Sequence, residues 1–170
     1  MASRIEGNVY VAGNLASLTF SPPANSITNA SITSNAGIEA SKVVHKFPLR
    51  YGQVGGTAVV DATQLLHIVS GATATINSIE ATIETPADDA SRTIDVDLLV
   101  GNAGSGYSTV LSAPIAFANT DAARTVKAGT ISSAALVDGD SLKLSVDVDG
   151  GSGNQAQGIV VTVFISEQPN

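Results

Sequence analysis

The sequence lacks cysteine altogether, so neither a disulfide nor a metal site with thiolate ligands can hold the fold together. It also lacks tryptophan, and aromatic residues make up only 4% of the 170 residues. Because hydrophobic residues still account for 44%, the core must be built from Val, Ile, Leu and Ala, which favours many short strands. A shortage of aromatic rings also argues against a sugar-binding face, since apolar stacking normally supplies such pockets.

Long apolar runs are missing as well. No stretch approaches the roughly 20 apolar residues that span a bilayer. The first residues, MASRIEGNVYVAG, contain no apolar run of signal-peptide length. The sequence therefore predicts a soluble protein that is made in the cytoplasm and has no membrane partner.

Positive charge is scarce and unevenly distributed. The chain carries 8 Lys and Arg against 15 Asp and Glu, a net charge of -7. Residues 1–50 hold four basic and two acidic residues, a net +2, whereas residues 51–170 hold four basic and thirteen acidic residues, a net -9. An acidic body repels phosphate backbones, and no Lys/Arg cluster offers the contacts that release counterions from nucleic acid. Nucleic acid is therefore not an expected partner.

The first 42 residues differ in pattern from the rest. They are rich in Asn, Ser, Ala and Gly, and a Pro-Pro dipeptide interrupts any regular element. Ile27, Ile32 and Ile38 are separated by five and six positions, which match neither the helix period nor the strand period. Such a segment cannot easily bury itself. We therefore predict an extended arm over residues 1–42 that inserts isolated apolar side chains into grooves on a neighbouring subunit.

From residue 43 onward the hydrophobic period becomes two, and turn signals recur at intervals, which predicts strands. In the cleanest run, Ile94 and Val96 alternate with Asp95 and Asp97. The predicted strands cover residues 43–51, 57–70, 73–84, 92–100, 108–118, 124–131, 142–148 and 158–166. Pro114 should place its strand at a sheet edge or a bulge. We predict an all-β fold, an about eight-stranded jelly-roll-like β-sandwich over residues 43–170 that follows the extended N-terminal arm.

Candidate catalytic residues are few. His45 and His67 are the only imidazoles, both lie in strand-like runs, and no G-x-S-x-G motif presents a serine nucleophile. We expect structural or surface roles for both histidines and predict a protein that is not an enzyme, with no catalytic residues, no cofactor-binding residues and no cofactor. A glycosidase with two carboxylates facing each other across a groove stays open, because sequence alone does not place them.

A structural Ca²⁺ also stays open. Asp138 and Asp140 flank a predicted turn, and Asp147 and Asp149 lie beside a glycine-rich loop. Clustered carboxylates with loop carbonyls suit Ca²⁺, but the spacing does not match an EF-hand. Alternate aspartates along a strand also mark a solvated face. We therefore assign no metal-binding residue.

Two phrases in the arm carry a family resemblance. GNVYVAGNL begins at Gly7, and PPANSITNASITSNAGIEASK ends at Lys42. They resemble segments of tailed-bacteriophage virion proteins, in which Ile-Thr-Asn-Ala-x-Ile and then Ala-x-Ile-x-Ala-Ser-Lys precede a β-rich domain; here Ile27 to Lys42 carries that phrase. The resemblance covers roughly the first quarter of the chain. A single copy of the phrase and no internal repeat favour a compact decoration protein over a long fibre.

The resemblance implies a virion structural protein of the capsid decoration (cement) or head-fibre type, located on the capsid surface and made in the host cytoplasm. The implied partners are the major capsid protein and copies of the chain itself in a homotrimer, with no nucleic acid and no membrane. The expected capsid-binding residues of the arm are Tyr10, Leu15, Phe20, Ile27, Ile32 and Ile38. Some of these side chains could instead pack on their own sandwich.

A second functional class stays open beside this one. In a receptor- or glycan-binding fibre or adhesin module, the loops at one end of the sandwich would carry recognition.

Overall fold

A computed structural model of the chain describes residues 44–151 and 153–169. These residues form ten β-strands and contain no helix that is long and apolar enough to cross a bilayer. The strands are β1 (His45–Gly52), β2 (Ala62–Ile68), β3 (Ala72–Thr85), β4 (Ile94–Gly101), β5 (Ser108–Thr109), β6 (Ile115–Phe117), β7 (Lys127–Ala128), β8 (Ala135–Leu136), β9 (Ser141–Val148) and β10 (Gln157–Pro169). The predicted boundary between residues 42 and 43 lies outside the described residues.

The strands form two antiparallel sheets of five strands each. In the first sheet the order is β1-β10-β3-β7, and β8 also pairs with β3. In the second sheet the order is β2-β9-β4-β5, and β6 also pairs with β4. Because β5 with β6 and β7 with β8 each act as one interrupted strand, this is the eight-stranded order of a jelly roll. The predicted all-β sandwich is confirmed.

The core lies between the two sheets and is filled by every second residue of the long strands. In β4, Ile94, Val96 and Leu98 are almost completely buried, whereas Asp95 and Asp97 point away from the core. Successive side chains of a strand point to opposite faces of the sheet. The apolar face therefore packs on the core, and the polar face is exposed to solvent. Each fully buried aliphatic side chain stabilises the fold by roughly 1.5–3 kcal/mol. The other large buried residues include Ile76, Ile79, Ile83, Leu142, Leu144, Ile159 and Ile165.

A β-bulge in the middle of β3 keeps both halves of that strand in register with the core. Ser78 pairs with Phe164 and Ile76 pairs with Ile165, so Asn77 is an extra residue without a partner on β10. The extra residue explains why Ile76 and Ile79, three positions apart, both point inward.

Three predicted strands are wrong in extent. The strand predicted at 57–70 is only the seven residues of β2. The strand predicted at 108–118 is only β5 and β6, separated by a segment that includes Pro114, and the strand predicted at 124–131 is only the two residues of β7. Proline has no backbone N–H to donate to a neighbouring strand, which is the physical reason for the interruption before β6.

Candidate docking surface

One side of the sandwich is closed by backbone hydrogen bonds between the sheets. Leu111 after β5 and Ile131 after β7 form an isolated antiparallel bridge. Next to it, Ser112 N donates to Thr130 O at 2.9 Å, and Ser132 N donates to Val110 O at 2.8 Å. Backbone hydrogen bonds therefore connect the two sheets directly on this side.

The opposite side, formed by β1 and β2, is open. Among the described residues β1 pairs only with β10 and β2 only with β9, so each is an edge strand of its own sheet. Between them lie half-buried apolar side chains that pack on the core without being fully covered: Phe47, Leu49, Tyr51, Ala62 and Leu66. We call this surface the open side.

Side chains, not backbone, hold the open side together. At one end His67 on β2 meets Glu167 on β10, with 2.6 Å between Nε2 and Oε1. The imidazole also packs edge-on against Phe47, with ring centroids 5.6 Å apart and an angle of 67° between the planes. His67 therefore contacts both β10 and β1. Its partner Glu167 was not predicted from the sequence, because the two residues lie 100 positions apart.

A second side-chain contact lies at the other end of the open side. The amide of Gln53, just after β1, donates to Val60 O at 2.8 Å and accepts from Val60 N at 2.9 Å. Its Nε2 also lies 2.8 Å from the Tyr51 hydroxyl. The open side is thus held at both ends and covered by apolar side chains in between.

In the described part of the chain, the free edge of β1 exposes unpaired backbone groups, and a proline interrupts its row of N–H donors. Gln53 N donates to Ile159 O at 2.9 Å, and hydrogen-bonded pairs alternate along an antiparallel ladder. The backbone groups of Lys46, Pro48 and Arg50 therefore point away from β10. Since Pro48 has no N–H, the centre of this edge offers only acceptors. A proline in a strand is the sequence signal that identifies β1 as an edge.

Carboxylates gather on the outer face of the second sheet. Asp95 on β4 is the register partner of Asp147 on β9, and the Asp149 carboxylate accepts a hydrogen bond from the Thr93 hydroxyl at 2.9 Å. Burial, together with the negative charges of Asp149 and Asp147, raises the pKa of Asp95. Within residues 44–151 and 153–169, no three His, Cys, Asp or Glu side chains are grouped closely enough to hold a metal ion.

The two predicted turn aspartates bind backbone instead. Asp138 Oδ1 accepts from Gly71 N at 2.7 Å, and Asp140 Oδ2 accepts from Val137 N at 2.8 Å. These bonds fix the turn that leads into β9.

Surface depressions of about 340 to 370 Å³ lie on the described part of the chain. One of them, about 360 Å³, borders the exposed ring of Tyr107 and includes Asn102, Ser105 and Asp140. Lys143 Nζ lies 3.9 Å from the centre of that ring. His45, the other predicted imidazole, is exposed at the start of β1, where its register partner is Glu167.

The predicted arm residues lie outside the described residues. This applies to all six of Tyr10, Leu15, Phe20, Ile27, Ile32 and Ile38. Val44, the first described residue, is 51% exposed. The described part of the chain therefore begins at an exposed residue directly before the edge strand β1.

No protein-family model matches the chain, and no curated protein matches it. Among solved structures, it is similar to a chain of the cyanophage Pam1 capsid asymmetric unit, with a TM-score of 0.45 and 15% identity over 93% of this chain and 99% of that chain. It is also similar to chains of turnip yellow mosaic virus, with a TM-score of 0.33 and 13% identity over 75% of this chain and 93% of that chain. It is similar to a chain of the empty head of turnip yellow mosaic virus as well, with a TM-score of 0.37 and 14% identity over 96% of this chain and 90% of that chain.

Proposed function

We propose that the chain is a virion structural protein that decorates and stabilises a phage capsid, with the N-terminal arm, residues 1–42, docked on the shell. The major capsid protein and further copies of the chain, in a homotrimer, are its partners. The arm residues that bind the shell are Tyr10, Leu15, Phe20, Ile27, Ile32 and Ile38. Neither a cofactor nor catalysis is part of this role.

The observation that carries the proposal is the exposed position of Val44, directly before the edge strand β1. Strand β1, which follows Val44, borders the open side of the sandwich. A segment that leaves from such an edge is free to reach a neighbouring surface, and 42 residues span up to about 140 Å when extended. The phrase at Ile27 to Lys42, which resembles virion proteins, lies within this segment.

The body itself supports a structural role. Its core consists of aliphatic side chains and Phe117 packed between two sheets, and one side is joined by backbone hydrogen bonds. The histidine nearest the core, His67, is engaged by Glu167 and Phe47. Extended segments that dock into grooves or add to sheet edges gain affinity from main-chain bonds and specificity from alternate side-chain pockets. Several weak contacts in one oligomer then act together.

Quantitative mass spectrometry of purified particles from the source culture tests this function. The copies of this chain are counted against the most abundant shell protein. A ratio near one, or a simple fraction of it, supports decoration of defined lattice positions. Complete absence from particles would overturn the proposal.

One observation favours the second class, a receptor- or glycan-binding module. The exposed ring of Tyr107 borders a depression that also offers the polar groups of Asn102, Ser105 and Asp140. Aromatic rings beside amides and carboxylates suit a saccharide. A glycan array probed with the full chain tests it: binding that is lost in Tyr107→Ala supports this class, and silence across the array argues against it.

A further inference from the structure

The outer face of β1 and β10 combines two basic residues with an apolar centre. Phe47, Leu49 and Tyr51 of β1 pack on the core, so the residues between them point away from it. Those residues are Lys46, Pro48 and Arg50, all exposed. Pro48 is the register partner of Phe164, whose side chain is 38% exposed on the same face. We call Lys46, Pro48, Arg50 and Phe164 the basic strip.

The outer face of the second sheet carries the opposite charge. Asp95 and Asp97 alternate with buried residues of β4, and Asp147 lies directly across from Asp95 on β9. Asp149 is on the same face, since its carboxylate meets the Thr93 hydroxyl. We call Asp95, Asp97, Asp147 and Asp149 the acidic strip. Asp95 is only partly exposed, and its carboxylate is crowded by two others, which raises its pKa.

The two strips match in length as well as in charge. Lys46 and Arg50 are four residues apart on one strand, a distance of about 13 Å at the rise of an extended chain. Thr93, which contacts Asp149, and Asp97 are also four residues apart, so the acidic strip has about the same length. Both strips belong to the same chain but lie on opposite outer faces, so they can meet only between two copies.

We propose that the basic strip of one copy docks on the acidic strip of a second copy. The apolar centre at Pro48 and Phe164 is covered in the same contact. Because the two strips differ, the contact is head-to-tail, and such contacts close into rings when the rotation allows. Because the strips lie on opposite outer faces, repeated contacts of this kind extend into an open row of copies, and this contact is separate from the homotrimer of the proposed function.

The edge of β1 disfavours a competing arrangement, in which two β1 strands pair with each other. Antiparallel pairing about Pro48 would place Lys46 of one copy opposite Arg50 of the other, and like charges directly opposite destabilise a sheet. Pro48 would also leave the centre of the ladder without N–H donors. Face-to-face contact between the strips avoids both the like-charge pairs and the missing N–H donors.

Sedimentation and native mass spectrometry of the full chain test the inference. Arg50→Glu is compared with Arg124→Glu, which makes the same charge change at an exposed residue that belongs to neither strip. We expect Arg50→Glu to weaken association by at least roughly tenfold and Arg124→Glu to change it little. Association should also weaken with rising salt. Equal effects of the two substitutions, or a wild-type chain that stays monomeric at every concentration, would overturn the inference.

Charge reversal of both strips gives a sharper readout. Lys46→Glu with Arg50→Glu, and separately Asp95→Lys with Asp147→Lys, should each abolish self-association. Mixing the two folded variants should restore assemblies that contain both, because every contact between unlike variants is again complementary. If the mixed variants, each with a wild-type melting curve, stay apart, the inference is wrong.

This outcome is independent of the particle measurement. A monomer that still attaches to particles would overturn the strip contact and leave the decoration role. A chain that self-associates through the strips but is absent from particles would overturn the decoration role and leave the strip contact.

Discussion

His67 on β2 and Glu167 on β10 join the two sheets at one end of the open side through a single contact of 2.6 Å between Nε2 and Oε1. The backbone hydrogen bonds that close the opposite side have no counterpart between β1 and β2 among the described residues. The stability of the open side therefore depends on side chains.

Removing this contact should loosen the open side. We expect Glu167→Ala to lower the free energy of unfolding by about 1–2 kcal/mol, since it leaves the half-buried imidazole without its partner. Urea unfolding measures the change, with Gln168→Ala, an exposed neighbour on β10, as the control. A double-mutant cycle with His67→Ala should show coupling between the two residues. Strictly additive losses would mean that the contact contributes nothing of its own.

Gly129 is packed too closely to accept a side chain. A Cβ at this position would lie 2.8 Å from Ile79 Cγ2 and 3.2 Å from Ile115 Cδ1, both in the core. Gly129→Ala should therefore destabilise the fold by about 1–3 kcal/mol, as overpacking of a core does. Gly106→Ala is the matched control, because nothing lies within 4 Å of its Cβ. Equal thermal midpoints for the two variants would contradict the described packing.

Asp121 should stabilise the protein only above acidic pH. Its Oδ2 accepts from Lys127 Nζ and from Ala118 N, each at 2.7 Å, and these bonds lower the pKa of Asp121 below its ordinary value of 3.8. A lowered folded-state pKa means that the contribution is complete above the ordinary value and is lost as the pH falls through the folded value. We expect Asp121→Asn to cost about 1 kcal/mol near neutral pH. Unfolding curves at several pH values should show that this cost disappears in acid; a constant cost would speak against the ionised contact.

Asp95 should have the opposite pH dependence. Burial and the carboxylates of Asp149 and Asp147 raise the pKa of Asp95 above 3.8, so the folded protein holds this proton more tightly than the unfolded chain does. Ionised Asp95 therefore costs stability above its folded pKa, and the cost vanishes as the pH falls towards 3.8. Asp95→Asn should be more stable than wild type near neutral pH, with a gain that shrinks in acid. Glu80→Gln, an exposed carboxylate on β3, is the control; a loss of stability in Asp95→Asn at neutral pH would count against the crowding.

Deletion of residues 1–42 separates the arm from the body. Because the core lies within residues 59–165, we expect the truncated chain to keep a melting temperature close to that of the full chain. Attachment to shells should be lost, which co-sedimentation with particles measures. Retained attachment would place the docking surface on the sandwich itself.

Much of the fold could be predicted from the sequence because the strand period is local. The alternation of apolar and polar residues in 92–100 and 142–148 identifies β4 and β9 and indicates which face is buried. The turn at Asp138 and Gly139 was also evident, and Gly139 has the positive φ of 87° that such a turn requires. These signals need only neighbouring residues.

What only the tertiary structure decided is which distant residues become neighbours. The extra residue Asn77, the pairing of His67 with Glu167 and the crowding of Asp95 by Asp147 all depend on the register between strands that are far apart in sequence. A period of two says which face a side chain occupies, but not which strand lies beside it. The sequence therefore determined the sandwich, its core and its polar faces. The long-range pairing decided which edges stay open and where the charges of each face are brought together.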